Sequence, residues 1–366
     1  LPAKPLPILE KRNTKLHGLT ARTSGPDVDV RVASGIDAGL DEVAAHADPR
    51  HAFLRKAWFE AAAGEGATTL IASNSRGLVA ALPSVRAAPL VRAVPGSYWP
   101  IRSFPIAADA DDAEVGAFLA SPVTKAALGW AVRIGPANAD DPTVSRIRRV
   151  APGAGWQLLE RRIATSFTMD VGEARASGGW PRSSTLKKNR QHEKHLAAHG
   201  AVEWRFASGG DWTPELFDDL AAIERRSWVG ETRGADAKFL DANRRALWER
   251  AAQDPALAAM MHAGLLYIDG KPAAFSFGIE AGRTRYCIAN SYDQAFARHS
   301  PGKLLAYRTY IDAAGRGIQI LDDGAGDGGH KSIIGEVPGP DIIDCLLVRG
   351  RLAAALLRPL WERSAR

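Results

Sequence analysis

Cysteine is scarce in this chain. Cys287 and Cys345 are its two thiols in 366 residues, each inside an apolar, strand-like run: Tyr286-Cys287-Ile288 and Ile343-Asp344-Cys345-Leu346-Leu347. A disulfide-stapled scaffold is thereby excluded, and the pair reads as small buried hydrophobes in a reducing, cytoplasmic setting. Long apolar runs are missing too. No stretch reaches the ~18 residues needed to cross a bilayer, so no membrane span is expected. The N-terminal stretch sets Lys4, Lys11, Arg12 and Lys15 among prolines with no apolar core, so no secretory signal is expected there. Acidic residues fall short of basic ones, 41 against 47, for a net charge of +6. The cations are mostly Arg scattered along the chain without a nucleic-acid motif. They suit an anionic small ligand, and no DNA partner is expected.

What the chain has in quantity is core-forming material. Hydrophobic residues make up 46% and Trp occurs ten times, enough to fill two packed domains. Residues 1–27, rich in Pro and Lys/Arg, read as an extended arm. Alternation then predicts a strand at Val28–Val32, followed by two helical stretches up to Ala63. Strands follow at Thr68–Ser73, Gly77–Val85 and Pro89–Val94. A helix over Asp112–Ala127, a strand Trp130–Ile134, a helix near Thr143–Val150 and a strand Trp156–Ile163 complete the first half. Residues 165–181, with Gly178-Gly179-Trp180-Pro181, read as a linker.

Beyond the linker a similar order returns. A basic helix spans Ser184–His199, and a strand Val202–Phe206 follows. Thr213-Pro214-Glu215 starts a helix whose apolar face is Leu216, Leu220 and Ile223. Another helix covers Ala237–Ala252. Strands at His262–Ile268, Pro272–Glu280 and Thr284–Ser291 are joined by two-residue turns at Asp269-Gly270 and Ala281-Gly282. A helix with Leu304, Tyr307, Ile311 and Ala314 on its core face, a strand Ile318–Leu321, a strand Ile342–Val348 and a helix Arg351–Trp361 end the chain. Leu352, Leu356, Leu357 and Leu360 of that last helix are expected to pack on the final strand. The two halves thus read as tandem copies of one mixed α/β unit.

Arg298-His299-Ser300-Pro301-Gly302-Lys303 opens the helix of the second half. A small hydroxyl residue, Pro and Gly before a helix leave several N–H groups unpaired at its positive end, which is a place to hold phosphate. The same tripeptide also begins ordinary helices. At the matching point the first half has Ala107-Ala108-Asp109-Ala110-Asp111-Asp112, whose carboxylates repel a diphosphate. Only the second half is expected to bind a phosphorylated cofactor.

Ser300-Pro301-Gly302, the helix, then Asp322-x-Gly324-x-Gly326-Asp327 and Lys331 resemble the C-terminal signature of GNAT-superfamily acyltransferases of the cellulose-biosynthesis CelD-like group. These are related to the FemAB-type aminoacyl transferases. Phe53-Leu54-x-x-x-Trp58 and the basic helix from Lys187 to Gly200 extend the resemblance upstream. Asp323 stands where that pattern usually has an aromatic residue, and His330 where it usually has Tyr. The resemblance implies two tandem GNAT-like domains, each a mixed, mostly antiparallel sheet flanked by helices. Residues 28–164 would be a copy without a cofactor site, and 182–366 the acyltransferase. It implies acyl-CoA as co-substrate and direct attack by an amine of a small, glycan or envelope-precursor acceptor. Aminoacyl-tRNA would replace acyl-CoA under a FemAB-like alternative, and a catalytically silent polysaccharide-assembly factor is the third reading.

Such a reaction needs a diphosphate cradle, a strand edge for the pantetheine and a base for the amine. Arg298, Ser300, Gly302 and Lys303 are candidates for the cradle, with Asn290 beside the cofactor. Asp322 or Asp323 is expected to be the base, since paired carboxylates in a partly dry cleft hold protons more tightly. The same Asp-Gly run also serves as a plain turn. His330 is a candidate acid for the leaving thiolate. Lys187, Arg190, Tyr292, Asp327 and Lys331 are candidates to meet the acceptor. No metal is expected: a calcium-loop register from Asp323 puts Ala325 and Ile334 where oxygen ligands are required. His192, His195 and His199 share a helix face without Cys or carboxylates to complete a shell, and read as solvated.

Overall fold

The computed structural model describes residues 27–96, 101–232, 237–327, 329 and 331–363. The first half runs β1 (Asp29–Ser34), α1 (Gly39–His46), α2 (Lys56–Ala63), β2 (Thr68–Asn74), β3 (Gly77–Ala88), β4 (Val91–Ala93), α3 (Asp112–Ala120), α4 (Pro122–Leu128), β5 (Ala131–Asn138), α5 (Pro142–Val150) and β6 (Trp156–Asp170). The second runs α6 (Val171–Ala176), α7 (Ser183–Ala197), β7 (Val202–Ser208), α8 (Pro214–Arg225), α9 (Trp228–Glu231), α10 (Ala242–Ala251), α11 (Pro255–Met260), β8 (Met261–Ile268), β9 (Lys271–Ala281), β10 (Thr284–Tyr292), α12 (Pro301–Gly315), β11 (Ile320–Ala325), α13 (Lys331–Ile334), β12 (Val337–Arg349) and α14 (Arg351–Arg363).

The twelve strands among the described residues form one sheet in the order β1-β2-β3-β4-β5-β12-β6-β11-β10-β9-β8-β7. Read from either edge, the pairings are the same: three antiparallel pairs, one parallel pair (β4 with β5, β10 with β11), then an antiparallel pair. The expected tandem mixed, mostly antiparallel architecture is therefore present. The sequence did not disclose that the halves exchange their last strands. β12 lies against β5 of the first half, β6 lies against β11 of the second, and β6 and β12 pair with each other at the centre. Strand β6 accordingly continues to Asp170, past Ile163 where the sequence reading ended it and into the stretch read as linker.

One core runs through both halves. Phe53 and Trp58, fully buried, pack edge-on at 4.8 Å, Trp58 meets Trp248 at 5.9 Å, and Trp248 meets Phe277 at 4.9 Å. Edge-to-face rings add stability beyond the apolar area they bury. The Phe53-Leu54-x-x-x-Trp58 motif is thus packing between the halves.

Several local expectations shift. The single helix over Asp112–Ala127 is two helices, because Pro122 removes an N–H and Ser121 caps the new start, its Oγ accepting from Val123 N at 3.2 Å. The β9–β10 turn is Gly282-Arg283 rather than Ala281-Gly282. In α12, Ile311 is exposed, while Leu305, Thr309 and Tyr310 are buried along with Leu304 and Tyr307. Helix α14 departs furthest: Ala354 is buried, but Leu352, Leu356 and Leu360 are 85, 77 and 67% exposed.

The exchanged strands are locked by Asp344 on β12, which is fully buried. It receives Arg133 of β5 at 2.8–2.9 Å and Arg161 of β6 at 2.6–3.1 Å. Removing one partner of a buried ion pair strands the other charge, at a cost of ~3–5 kcal/mol. Asp344→Ala is expected to lose about that much in urea unfolding. A loss below ~1 kcal/mol would show that the clasp contributes no more than an exposed pair.

Candidate active site

Parallel strands cannot be joined by a tight turn, so β10 and β11 are connected through α12. The two strands pair over three residues, Thr284–Tyr286 with Ile320–Asp322, and then part. The pairing of β10 with β9 shifts between Cys287 and Ala289, and that of β11 with β6 shifts between Asp322 and Ala325. Between the diverging strands lies a cavity of about 270 Å³, lined by Cys287, Asn290, Ser291, Asp323, Lys238 and Trp228, among others.

The corresponding gap in the first half is filled by the chain itself. β4 ends after three residues. Arg102 N–H then bonds Pro136 O, Gly135 N–H bonds Arg102 O, and residues 105–107 bond to Ala81 and Val79 of β3. The helix that follows is also self-satisfied. Asp111 and Glu114 form a reciprocal capping box at the start of α3.

Helix α12 begins differently. Ser300 takes a left-handed conformation (φ 53°) without offering a side-chain cap, and Pro301 occupies the first turn. The first intrahelical bond is Leu304 N–H to Ser300 O, 3.1 Å. Nothing in the helix or its cap engages the Gly302 and Lys303 amides, and no acidic residue lies in that turn. A Cβ on Gly302 would stand 3.0 Å from Tyr292 Cδ1, so the ring of Tyr292, expected at the acceptor, lies instead against the helix start. Arg298 Nε donates to His299 Nε2 at 3.0 Å, and His199 Nε2 lies 3.1 Å from the same atom. His195 approaches His299 at 5.8 Å between ring centroids. Desolvation first, then Arg298 and the other imidazoles, hold His299 below the usual imidazole range. His195 of α7 and His199 just past its end therefore gather at this positive corner. Among the described residues no group of three or more His, Cys, Asp or Glu is set to hold a metal ion.

Asp322 and Asp323, adjacent on β11, serve opposite faces. Asp322 is buried and saturated: Ser166 Oγ and Gly324 N–H donate to one oxygen and Asn138 Nδ2 to the other at 2.8 Å. Burial raises its pKa and these donors oppose the rise. Asp323 lines the cavity. Its Oδ2 accepts from the Tyr310 hydroxyl, which also reaches Glu336 Oε1 at 2.7 Å. Glu336 is buried, and its other oxygen has no partner. Desolvation, then the Asp323 carboxylate beside it, push Glu336 up to about 9, so it holds a proton at neutral pH. The carboxylate pairing expected of Asp322 and Asp323 is thus made by Asp323 and Glu336.

Of the other candidates, Lys331 is buried, and its ammonium donates to the carbonyls of Asp323 (2.6 Å), Gly324 (3.0 Å) and Ala325 (3.2 Å). All three of its donors are used in holding the β11 exit. Asp327 accepts from Gly329 N–H and Ser332 Oγ at 2.9 and 2.6 Å in its own loop. Lys187 and Arg190 are exposed on α7. Asn290, exposed, borders the cavity with its amide 4.0 Å from Cys287 Sγ. Burial pushes the Cys287 thiol up to about 12, which leaves it protonated. His330 lies outside the described residues.

The sequence reading missed Glu336, Tyr310 and Lys238. Lys238 lines the cavity, and burial lowers its ammonium to about 8. Glu224 holds this segment by accepting the N–H groups of Lys238, Phe239 and Leu240 at 2.7–2.9 Å. No motif flags these residues; a lone Glu after Gly335 and a Tyr inside an apolar helix look ordinary.

Because folded Glu336 keeps a proton that the unfolded chain gives up near its ordinary 4.5, its contribution to stability is present below about 4.5 and drains away as pH rises toward about 9. Glu336→Gln, a neutral stand-in for the protonated acid, is expected to flatten that decline. Its urea midpoint should exceed the wild-type value at pH 8–9 and match it near pH 5. Parallel midpoint curves for the two proteins would show that Glu336 is not the group responsible.

Residues 183–332 match the family model described as Acetyltransferase (GNAT) domain. No curated protein matches the chain. Solved structures share its fold at low identity. FemX is 11% identical over 90% of this chain and 100% of its own, with a TM-score of 0.58. The C-terminal domain of a putative lysylphosphatidylglycerol synthetase from Agrobacterium fabrum is 14% identical over 88% and 93%, with a TM-score of 0.53. L-PGS from Bacillus licheniformis is 11% identical over 90% and 98%, with a TM-score of 0.52. The cavity between β10 and β11 and the uncapped start of α12 both fall inside the segment, residues 183–332, that is similar to the GNAT acetyltransferase family.

Proposed function

We propose that the chain is an acyl-CoA-dependent N-acyltransferase of the CelD-like kind, with residues 182–366 as the active copy and 28–164 as a copy without a cofactor site. The observation that carries this reading is the split between β10 and β11, which opens beside the uncapped amides of α12. A diphosphate would rest on the Gly302 and Lys303 amides with Arg298 nearby, and the pantetheine would lie along β10 past its bulge. The acceptor amine attacks the thioester carbonyl carbon and passes its proton to Asp323. As the C–S bond breaks, the thiolate takes a proton from the Asp323–Glu336 pair, which returns to its starting state. Asp322 positions the strand, and Lys331 holds the β11 exit. The protonated Cys287 supports direct attack without an enzyme thioester. An amine on a small molecule or an envelope or glycan precursor is the acceptor class.

A second reading, transfer from aminoacyl-tRNA, is favoured by one feature: Lys187, Lys188, Arg190 and Lys194 are exposed along α7, beside α12. FemX and the two synthetase structures share this fold. Thiol release from a panel of acyl-CoAs with candidate amines separates the readings. Release supports the first; transfer from charged tRNA alone supports the second; neither leaves a silent assembly factor.

Asp323→Asn is expected to lower kcat by ~10²–10⁴-fold with little change in acyl-CoA affinity. An unchanged rate would remove Asp323 from the chemistry. Gly302→Glu is expected to abolish CoA binding in calorimetry. Gly302→Ala, whose Cβ meets Tyr292 at 3.0 Å, reports the packing effect alone. Wild-type affinity in Gly302→Glu would refute the cradle.

A further inference from the structure

We infer that α14, together with the β3–β4 turn and the start of β5, is a docking face for an anionic lipid surface. The inference is independent of the transferase chemistry. Among the described residues no helix is long and apolar enough to cross a membrane. At 13 residues α14 can lie on a bilayer but not span one.

The face is built from residues that an aqueous surface has no reason to present. Ala354 is turned into the sheet, and Trp361 lies under the Arg161 guanidinium at 4.1 Å. Leu352, Leu356 and Leu360, each four residues apart, therefore form a stripe on the outer side, 67–85% exposed. Leu90 (68% exposed) and Trp130 (56%) are exposed as well, each next in the chain to a residue, Val91 or Ala131, that packs in the cluster holding Ala354. Leu90 O accepts from Trp130 N–H at 3.1 Å, and Trp130 O accepts from Arg349 N–H at 2.9 Å, which sets the turn beside the start of α14. Leu90 has φ 62°, a conformation that Gly or Asn takes at less cost, yet a large apolar side chain is held out at this tip. Exposed apolar patches of this kind mark interaction surfaces.

Charge selects the occupant. Arg86, Arg349, Arg351 and Arg363 are exposed and have no carboxylate partner among the described residues, while Glu362, the acid of α14, is met by Arg358 at 3.3 Å. A second copy docked through the same face would bring these cations against their own counterparts. A bilayer with anionic headgroups accepts leucine and tryptophan at the headgroup boundary and arginine at the phosphates.

The test is co-sedimentation of the full chain with vesicles of phosphatidylcholine alone or mixed with phosphatidylglycerol, at low and high salt. Binding to the mixed vesicles is expected to exceed that to neutral ones by roughly tenfold and to weaken with salt. Leu356→Asp/Leu360→Asp is expected to lose at least ~10-fold in binding, with thermal unfolding unchanged because both side chains are exposed. Arg349→Ser/Arg351→Ser is expected to erase the preference for the anionic lipid. Equal, weak retention of the wild type on both vesicles, or undiminished binding of the leucine variant, would overturn the inference. So would a dimer in sedimentation velocity that Leu356→Asp dissociates while vesicles fail to bind; that result would assign the face to a second copy.

Discussion

The constraint on which the site depends is the parallel pairing of β10 with β11. Parallel neighbours must be joined by a crossover, and here the crossover is α12. Its first turn is therefore delivered to the end of β10, where Tyr292 meets Gly302. Three paired residues hold the strands together at one end, and the bulges in β10 and β11 let them part at the other. A gap between strands and a set of unpaired amides are thus placed side by side by topology, before any catalytic side chain is considered.

The same topology occurs twice, and the copies have diverged at this point. In the first half the chain returns to bond β3 and β5 and closes the gap, and a capping box consumes the amides of the next helix. The first half also shares the sheet and the core of the second. Its last strand completes the sheet of the second half, β12 completes that of the first, and Phe53 and Trp58 enter a core shared with Trp248 and Phe277. Neither half keeps its own edge at the centre, so the two stand or fall together.

The proposed proton chemistry would draw on a low-dielectric arrangement. Two carboxyl groups and a tyrosine hydroxyl meet there, and the deeper acid, Glu336, is buried enough to keep its proton. Asp322, next in the chain to Asp323, is satisfied by three donors on the other face. One step along a strand separates a residue that faces the cavity from one that pins the sheet.

Much of this was legible in the amino-acid order. Periodicity marked the strands of both halves, Asp269-Gly270 marked its turn, and Ser300-Pro301-Gly302 marked a helix start left without a cap. These signals are local: they depend on which side of an element is apolar and on what its ends can bond. Tertiary structure alone decided the strand exchange, the meeting of Asp323 with Glu336 through Tyr310 across 13 and 26 residues, and the outward turn of the α14 leucines. An apolar stripe states that a face avoids water; it does not state which neighbour will cover it. That choice is made by strand order and register, which couple residues far apart in sequence.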